Sequence, residues 1–168
     1  KSISMSDDGN ILAASISYDS NNGRGQVRIY RWNGNIWSLI GNISGENDYE
    51  YIGNVVALSG DGTTVAIGIS QENKVRVYRY SDYIWSKIGY DIVGEYSNDQ
   101  FGSSVSISND GNIVAIGAPN NNNYKGQAKV YYLSNDYWTQ RGNTINGSII
   151  NDSLGQSISV SSNGNILA

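Results

Sequence analysis

The sequence predicts an all-β fold: a β-propeller built from four-stranded antiparallel blades, about three of them present together with the first hairpin of another. Three observations carry this. The stretch FGSSVSISNDGNIVA at 101–115 recurs as YIGNVVALSGDGTTVA at 51–66, as SLGQSISVSSNGNILA at 153–168 and, clipped, as KSISMSDDGNILA at 1–13. The turn glycine shared by these copies falls at Gly9, Gly62, Gly111 and Gly164, giving a period of 53, 49 and 53 residues. Within each period, short alternating apolar runs are separated by turn residues, which is the pattern of strands and hairpins. A unit of this size cannot bury its own apolar faces and must stack on copies of itself. The expected units are residues 1–52, 53–101 and 102–154, with 155–168 starting a further one. Because the last residues repeat the first, the chain reads as a slice of a longer array. Such a slice is expected to expose an apolar sheet face at each end.

The third copy shows the elements in order. SVSIS (104–108) alternates strictly, with Val105 and Ile107 on one face and serines on the other, as a half-buried strand does. Asn109-Asp110-Gly111-Asn112 follows, and Asp-Gly between two alternating runs predicts a tight primed hairpin turn. IVAIGA (113–118) is the second strand, its small residues permitting close approach of a neighbouring sheet. A loop over 119–126 leads to the third strand, QAKVYYL (127–133), and a short turn at 134–136 leads to the fourth, YWTQRG (137–142). The third strand recurs as QVRIYRW (26–32) and KVRVYRY (74–80), the fourth as IWSLIG (36–41) and IWSKIG (84–89). Four antiparallel strands per period form a propeller blade. Thirteen Tyr, twenty Gly and one Pro suit strands and turns, and no helical stretch is expected.

Composition narrows the functional classes. The formal net charge is −4 and Lys and Arg form no run, which argues against a nucleic-acid face. Neither Cys nor His occurs in the sequence, so Cys–His and Ser–His nucleophiles, His-ligated metals and thiolate zinc have no residues to use. Catalysis would rest on carboxylates, Tyr or Lys. Short serine-alternating strands do not suit a lipid-facing barrel band, and no membrane insertion is expected.

The order F-G-x-S-V, S-x-D-G-N-x-V-A-I-G-A, G-x-V-R-V-Y and W-x-x-I-G resembles the FG-GAP repeat of integrin-α-like propellers. It resembles most the repeats of large algal, protist, bacterial and viral surface proteins. Phe101-Gly102 and Gly117-Ala118-Pro119 match the name-giving residues; Tyr51-Ile52-Gly53 and Leu154-Gly155 are weaker versions. The resemblance implies an extracellular, cell-surface or virion-surface location and a binding or adhesion role. Many FG-GAP blades also carry an Asp-rich calcium loop between the first two strands. Here that loop is only Asp7-Asp8-Gly9, Gly60-Asp61-Gly62, Asn109-Asp110-Gly111 or Ser162-Asn163-Gly164. Calcium needs six to eight oxygen ligands, so calcium binding does not carry over and no cofactor is expected.

The candidate sites have plainer readings beside them. The Asp-Gly turns are read as turns chosen for their backbone angles. Trp37, Trp85 and Trp138 hold one repeat position; a sugar platform is one reading, a wedge between sheets the preferred one. Nothing fixes two carboxylates about 5–9 Å apart for glycoside hydrolysis. The Asn120–Asn123 run is read as an amide-rich surface or a solvated loop. Three N-glycosylation sequons, at Asn42, Asn146 and Asn151, are expected by chance in so Asn- and Ser-rich a chain.

Loop length narrows the search. In an up-and-down blade, the links between strands two and three and from strand four to the next blade share one end. Those links vary, long at 17–25 and 119–126 but short at 70–73, while the opposite turns are uniform. Length variation confined to one face marks the expected binding face. Its candidate contact residues are Tyr18, Asp19 and Arg24 in the first loop, Glu72 in the second, Asn121 and Tyr124 in the third, and Tyr49, Glu50, Tyr96 and Asp99 on the connectors. The leading expectation is a non-catalytic binding or adhesion module of a larger surface protein, with a protein or glycan ligand or neighbouring blades or subunits as partner. The alternatives are a carboxylate-dependent glycosidase or lyase, and a purely structural scaffold.

Overall fold

The computed structural model describes residues 1–16 and 22–168 and is nearly all β. The first sheet holds β1 (Ile3–Met5), β2 (Ile11–Ile16), β3 (Gln26–Trp32) and β4 (Trp37–Ser44) in that order. The second holds β5 (Val55–Leu58), β6 (Thr64–Ile69), β7 (Lys74–Ser81) and β8 (Ile84–Lys87), with β9 (Ile92–Val93) also paired to β7. The third repeats this as β10 (Ser104–Ile107), β11 (Ile113–Ala118), β12 (Gln127–Ser134) and β13 (Tyr137–Gln140), with β14 (Ile145–Asn146) paired to β12. Among the described residues every strand pairing is antiparallel, between consecutive strands or, for β9 and β14, back onto the third strand, while isolated parallel bridges Gly25–Ile52 and Gly126–Leu154 join neighbouring blades. Residues 155–168 form a further hairpin, in which Val160 bridges Leu167 and Ser159 exchanges backbone hydrogen bonds with Ala168. This is a partial β-propeller.

The outer strand differs between blades for a countable reason. Between the W-x-x-x-G glycine and the next isoleucine, the first blade has one residue (Gly41-Asn42-Ile43) and the others have two (Gly89-Tyr90-Asp91-Ile92 and Gly142-Asn143-Thr144-Ile145). Without the extra residue β4 runs unbroken, and the pairing slips at a bulge between Ile29 and Tyr30. With it, the strand breaks at Gly89 and Gly142, which take φ of 68° and 73°.

The core lies between sheets. Ile11, Ala13, Val27, Ile29 and Ile43 of the first blade pack on Val56, Leu58, Val65, Ile67 and Ile69 of the second, with Ile52 of the connector in the same cluster. The second blade's other face meets Val105, Ile107, Val114 and Ile116 of the third, with Phe101 of the connector fully buried edge-on to Tyr131. Thus β6, sandwiched on both faces, is buried along its whole length. The serines of the first strands also have partners: Ser2 and Ser4 Oγ accept from the Val56 and Leu58 amides at 3.1 and 2.9 Å, and Ser106 Oγ accepts from Val160 N at 3.0 Å.

The signature glycines face one another across blade boundaries. A Cβ on Gly68 would lie 2.1 Å from the Gly102 carbonyl, and one on Gly117 would lie 2.0 Å from the Gly155 carbonyl. The two halves of the repeat name are therefore one contact, made by the second strand of one blade and the entry to the next. The tryptophans behave similarly. Trp85 lies over Gly41 and Trp138 over Gly89, and Trp138 Nε1 donates to the Ile88 carbonyl at 3.1 Å, the wedge expected from sequence.

Two local expectations change. The Asp-Gly turns between first and second strands are not primed turns, because of Asn109, Asp110 and Gly111 only the glycine has positive φ, and Gly111 N closes the turn onto the Ser108 carbonyl. Primed turns lie instead between third and fourth strands, where Asp82-Tyr83 and Asn135-Asp136 all have positive φ. Two short helical turns also occur where none was expected, at Ser70–Glu72 and Asn121–Tyr124. The second contains left-handed residues, Asn122 and Asn123 at φ 50° and 58°.

Candidate binding site

The two ends of the blades are chemically different. At one end the first-to-second-strand turns are closed by their own groups. Ser108 Oγ donates to Asp110 Oδ1 at 2.6 Å while the Asn112 amide donates to the same oxygen at 3.1 Å, and Ser6/Asp8 and Ser59/Asp61 repeat the arrangement. Hydrogen bonds from Ser6 and Asn10 hold the Asp8 carboxyl at about 2. Backbone bonds then link turn to turn, Asp7 N to the Gly60 carbonyl, Asp61 N to Asn109 and Asn109 N to Ser162. These carboxylates already accept from their own turns and number one or two per turn, so the donor set does not fit a calcium ion.

At the other end, the second-to-third-strand loops bond to the inter-blade connectors. Tyr51 and Ile52 amides donate to Gly23 and Arg24 carbonyls, Gly94 N to Asn73, Asn120 N to Asp99, and Ser153 and Leu154 amides to Tyr124 and Lys125. The Phe101 amide donates to Asn73 Oδ1 at 2.8 Å. The two variable sets of loops thus share one face, as the up-and-down topology requires.

Glu50, Asp99 and Asp152 hold one repeat position on this face, just before the entry residues Tyr51, Gln100 and Ser153, which all take positive φ. In two of the three the acid ties its own connector. Glu50 Oε2 accepts from the Glu46 amide at 2.6 Å, and Asp152 Oδ2 accepts from the Ser148 and Ile149 amides at 2.7 and 2.8 Å. Glu50 also pairs through Oε1 with Lys74 at 2.9 Å and Arg76 at 2.7 Å, and Asp91 and Glu46 reach Arg76 at 3.0 Å. Burial pushes the Glu50 carboxyl up, but its contacts with Arg76 and Lys74 outweigh this and hold it at about 2. The Arg76 guanidinium, destabilised by burial, is held further above its usual range by Glu50 and Asp91.

The expected contact residues therefore divide. Tyr18 and Asp19 lie outside the described residues. Glu50 is fully buried in the ion cluster just described, an internal tie and not a surface group. Glu72 pairs with Lys74 at the cluster's edge, and Arg24 pairs with Asp48 at 2.8 Å. Tyr49 is exposed beside Tyr51, ring centroids 6.3 Å apart. Asp99 is buried and accepts from Asn121 Nδ2 at 2.7 Å, so these two act as a pair beneath the surface.

Tyr96 and Tyr124 are exposed and border two clefts on either side of the Asn120–Asn123 turn. The cleft beside Tyr124, of about 550 Å³, reaches to Ser70 and Gln71 of the second blade. The cleft beside Tyr96, of about 690 Å³, is lined by Glu95, Asp99, Gln127, Thr144 and Asn146 besides the asparagine turn. Gln127, Thr144 and Asn146 were not among the sequence candidates. Gln127 opens a third strand, which reads as structure, and the extra outer-strand residue that brings β14 back beside Gln127 has no local signal.

Residues 95–132 match the FG-GAP repeat. No curated protein sequence matches the chain. Among solved structures, a candidate 6-phosphogluconolactonase from Bacteroides uniformis superposes with TM-score 0.65 at 13% identity, over 99% of this chain and 45% of that one. The β-propeller domain of Cps50 (Swd1) from Myceliophteria thermophila gives 0.63 at 14% identity, over 100% of this chain and 48% of that one. TolB from Acinetobacter baumannii gives 0.52 at 14% identity, over 100% and 36%. This chain spans less than half the length of each of these proteins, and at such identities the similarity concerns fold alone. With the stacked sheets, the described residues form part of a β-propeller in which residues 95–132 match the FG-GAP repeat.

Proposed function

We propose that these blades form a non-catalytic binding or adhesion module of a larger surface or extracellular protein, with its ligand face at the end carrying the variable loops. The observation that supports this most is the asymmetry of the two ends. One end is a belt of uniform turns whose polar groups are consumed by each other; the opposite end carries two polar clefts flanking the 119–126 loop. Clefts of a few hundred Å³ with several converging polar groups are where small ligands and side chains of partners bind. The exposed rings of Tyr49, Tyr96 and Tyr124 on this face add contact area of the kind that dominates recognition surfaces.

The test is a loop exchange. Residues 119–126 are replaced by the short 70–73 loop, and the variant is compared with the parent on glycan and protein arrays. Binding is expected to disappear while the melting transition remains cooperative. A folded variant that keeps every interaction of the parent would show that the face is not the ligand site.

A further inference from the structure

We infer that the cleft between the 95–99 connector and the Asn120–Asn123 turn is a binding site for a neutral saccharide. This rests on the ligand-face reading above and gives it a ligand class.

Comparing the two blade junctions shows why the cleft exists. Where the first blade meets the second, connector acid Glu50 lies over the first and third residues of β7, Lys74 and Arg76, and the three close into an ion cluster. Where the second meets the third, the same register positions hold Asp99, Gln127 and Lys129. Gln127 carries no charge for the acid to meet, and Asp99 is a methylene shorter than Glu50. Asp99 turns to Asn121 instead, and Lys129 pairs with Glu95. The position that Lys74 fills at one junction stands open at the other. Gln127 is 3% exposed, lines the cleft, and its Nε2 has no hydrogen-bond partner among the described residues. Buried polar groups are satisfied in the great majority of cases, so an orphan amide just beneath the cleft wall is a donor that a ligand hydroxyl satisfies once the Gln127 side chain turns into the cleft.

The remaining wall chemistry selects the ligand. Side-chain amides, a threonine hydroxyl and carboxylate oxygens offer donors and acceptors together. A sugar hydroxyl, which both donates and accepts, matches this mixture. Glu95 and Asp99 border the cleft and, among the described residues, no Lys or Arg lines it, which disfavours phosphates, sulfates and uronates. Both carboxylates already have partners, Lys129 and Asn121, so they do not form a free cation site. Tyr96, 65% exposed, presents an apolar ring at the wall against which the C–H face of a pyranose can lie. The left-handed backbone of Asn122 and Asn123 fixes that wall before any ligand arrives, reducing the ordering cost of binding.

The test uses the full chain with glucose, galactose, mannose, N-acetylglucosamine, glucuronate and calcium chloride, read by saturation-transfer NMR and titration calorimetry. At least one neutral sugar should bind. Gln127→Leu and Tyr96→Ala should each weaken it about tenfold, roughly the effect of one lost hydrogen bond or ring contact. Tyr83→Ala, at the opposite end of the blades, should leave affinity unchanged. Tyr96 is exposed, so its variant keeps the test valid even if Gln127→Leu fails to fold. The inference is overturned if no neutral sugar binds, if glucuronate or calcium binds instead, or if sugar affinity survives both cleft variants. A protein ligand captured by the loop face while no sugar binds would overturn only the saccharide assignment; loss of neither on loop exchange would overturn the ligand-face reading itself.

Discussion

Replacing Glu50 with glutamine keeps the side-chain shape and removes one buried charge from the junction of the first two blades. In the folded chain Glu50 is fully buried, accepts from the Glu46 amide and pairs with Lys74 and Arg76. Its carboxyl falls from 4.5, ordinary for glutamate, to about 2, and at about 1.4 kcal/mol per pH unit this makes the ionised form worth roughly 3 kcal/mol to folding. Losing one partner of a buried ion pair costs a similar roughly 3–5 kcal/mol, and Glu72 and Asp91, which also reach these cations, place the expected loss at the lower end. Because the folded carboxyl is depressed, the contribution is complete above 4.5 and is lost as the pH falls through about 2. Urea unfolding of parent and Glu50→Gln at several pH values, with parallel slopes, converts the midpoint difference into free energy. Other carboxylates titrate in both proteins and cancel. The variant should be about 3 kcal/mol less stable at neutral pH, and the curves should converge at the acid end. Equal midpoints at neutral pH, or a gap that stays undiminished near pH 2, would refute the assignment of Glu50 as an internal tie.

Three further outcomes are expected. Trp85→Ala empties the seat over Gly41 and should cost about 2–3 kcal/mol, whereas Trp37→Ala, at the same repeat position but partly exposed, should cost less than about 1 kcal/mol; denaturant midpoints of the pair compare one position with and without a preceding blade. Gly117→Ala forces a methyl against the Gly155 carbonyl and should destabilise by about 1–3 kcal/mol, with increased exchange of the 155–168 amides as its signature in hydrogen-exchange mass spectrometry. Asp110→Ala removes the acceptor for Ser108 Oγ and the Asn112 amide and should cost about 1 kcal/mol without changing any ligand affinity, as thermal melts and the binding titrations together would show.

The blade order was legible in the sequence because repetition does the work that no single segment could. SVSIS or IVAIGA alone could be a strand of many sheets; recurring every fifty or so residues beside one glycine, each must pair and stack in the same way. The same logic placed the variable loops on one face, since four antiparallel strands leave the second-to-third link and the blade exit nowhere else to go. The primed turn at Asn109–Gly111 was misplaced because Asp-Gly reports only a residue able to take positive φ. Whether that residue sits in the turn or just after it depends on the serine hydroxyl that Asp110 captures two residues back, a local contact that the Asp-Gly pair alone does not reveal.

The candidate residues show the same division. Composition and spacing identify Glu50 and Asp99 as acids on the right face, yet cannot say that they point inward, because their partners Arg76 and Asn121 are more than twenty residues away in the chain. Gln127 was invisible as a site residue for the complementary reason: what marks it is the absence of the cation that Lys74 supplies at the previous junction. The sequence by itself determined the period, the strands and the face on which length varies, since these follow from local periodicity and chain connectivity. Only the tertiary structure decided which blade junction closes on an ion cluster and which stays open as a cleft. That depends on three side chains from two blades meeting in space, where Glu50, Lys74 and Arg76 at one junction are replaced by Asp99, Gln127 and Lys129 at the next.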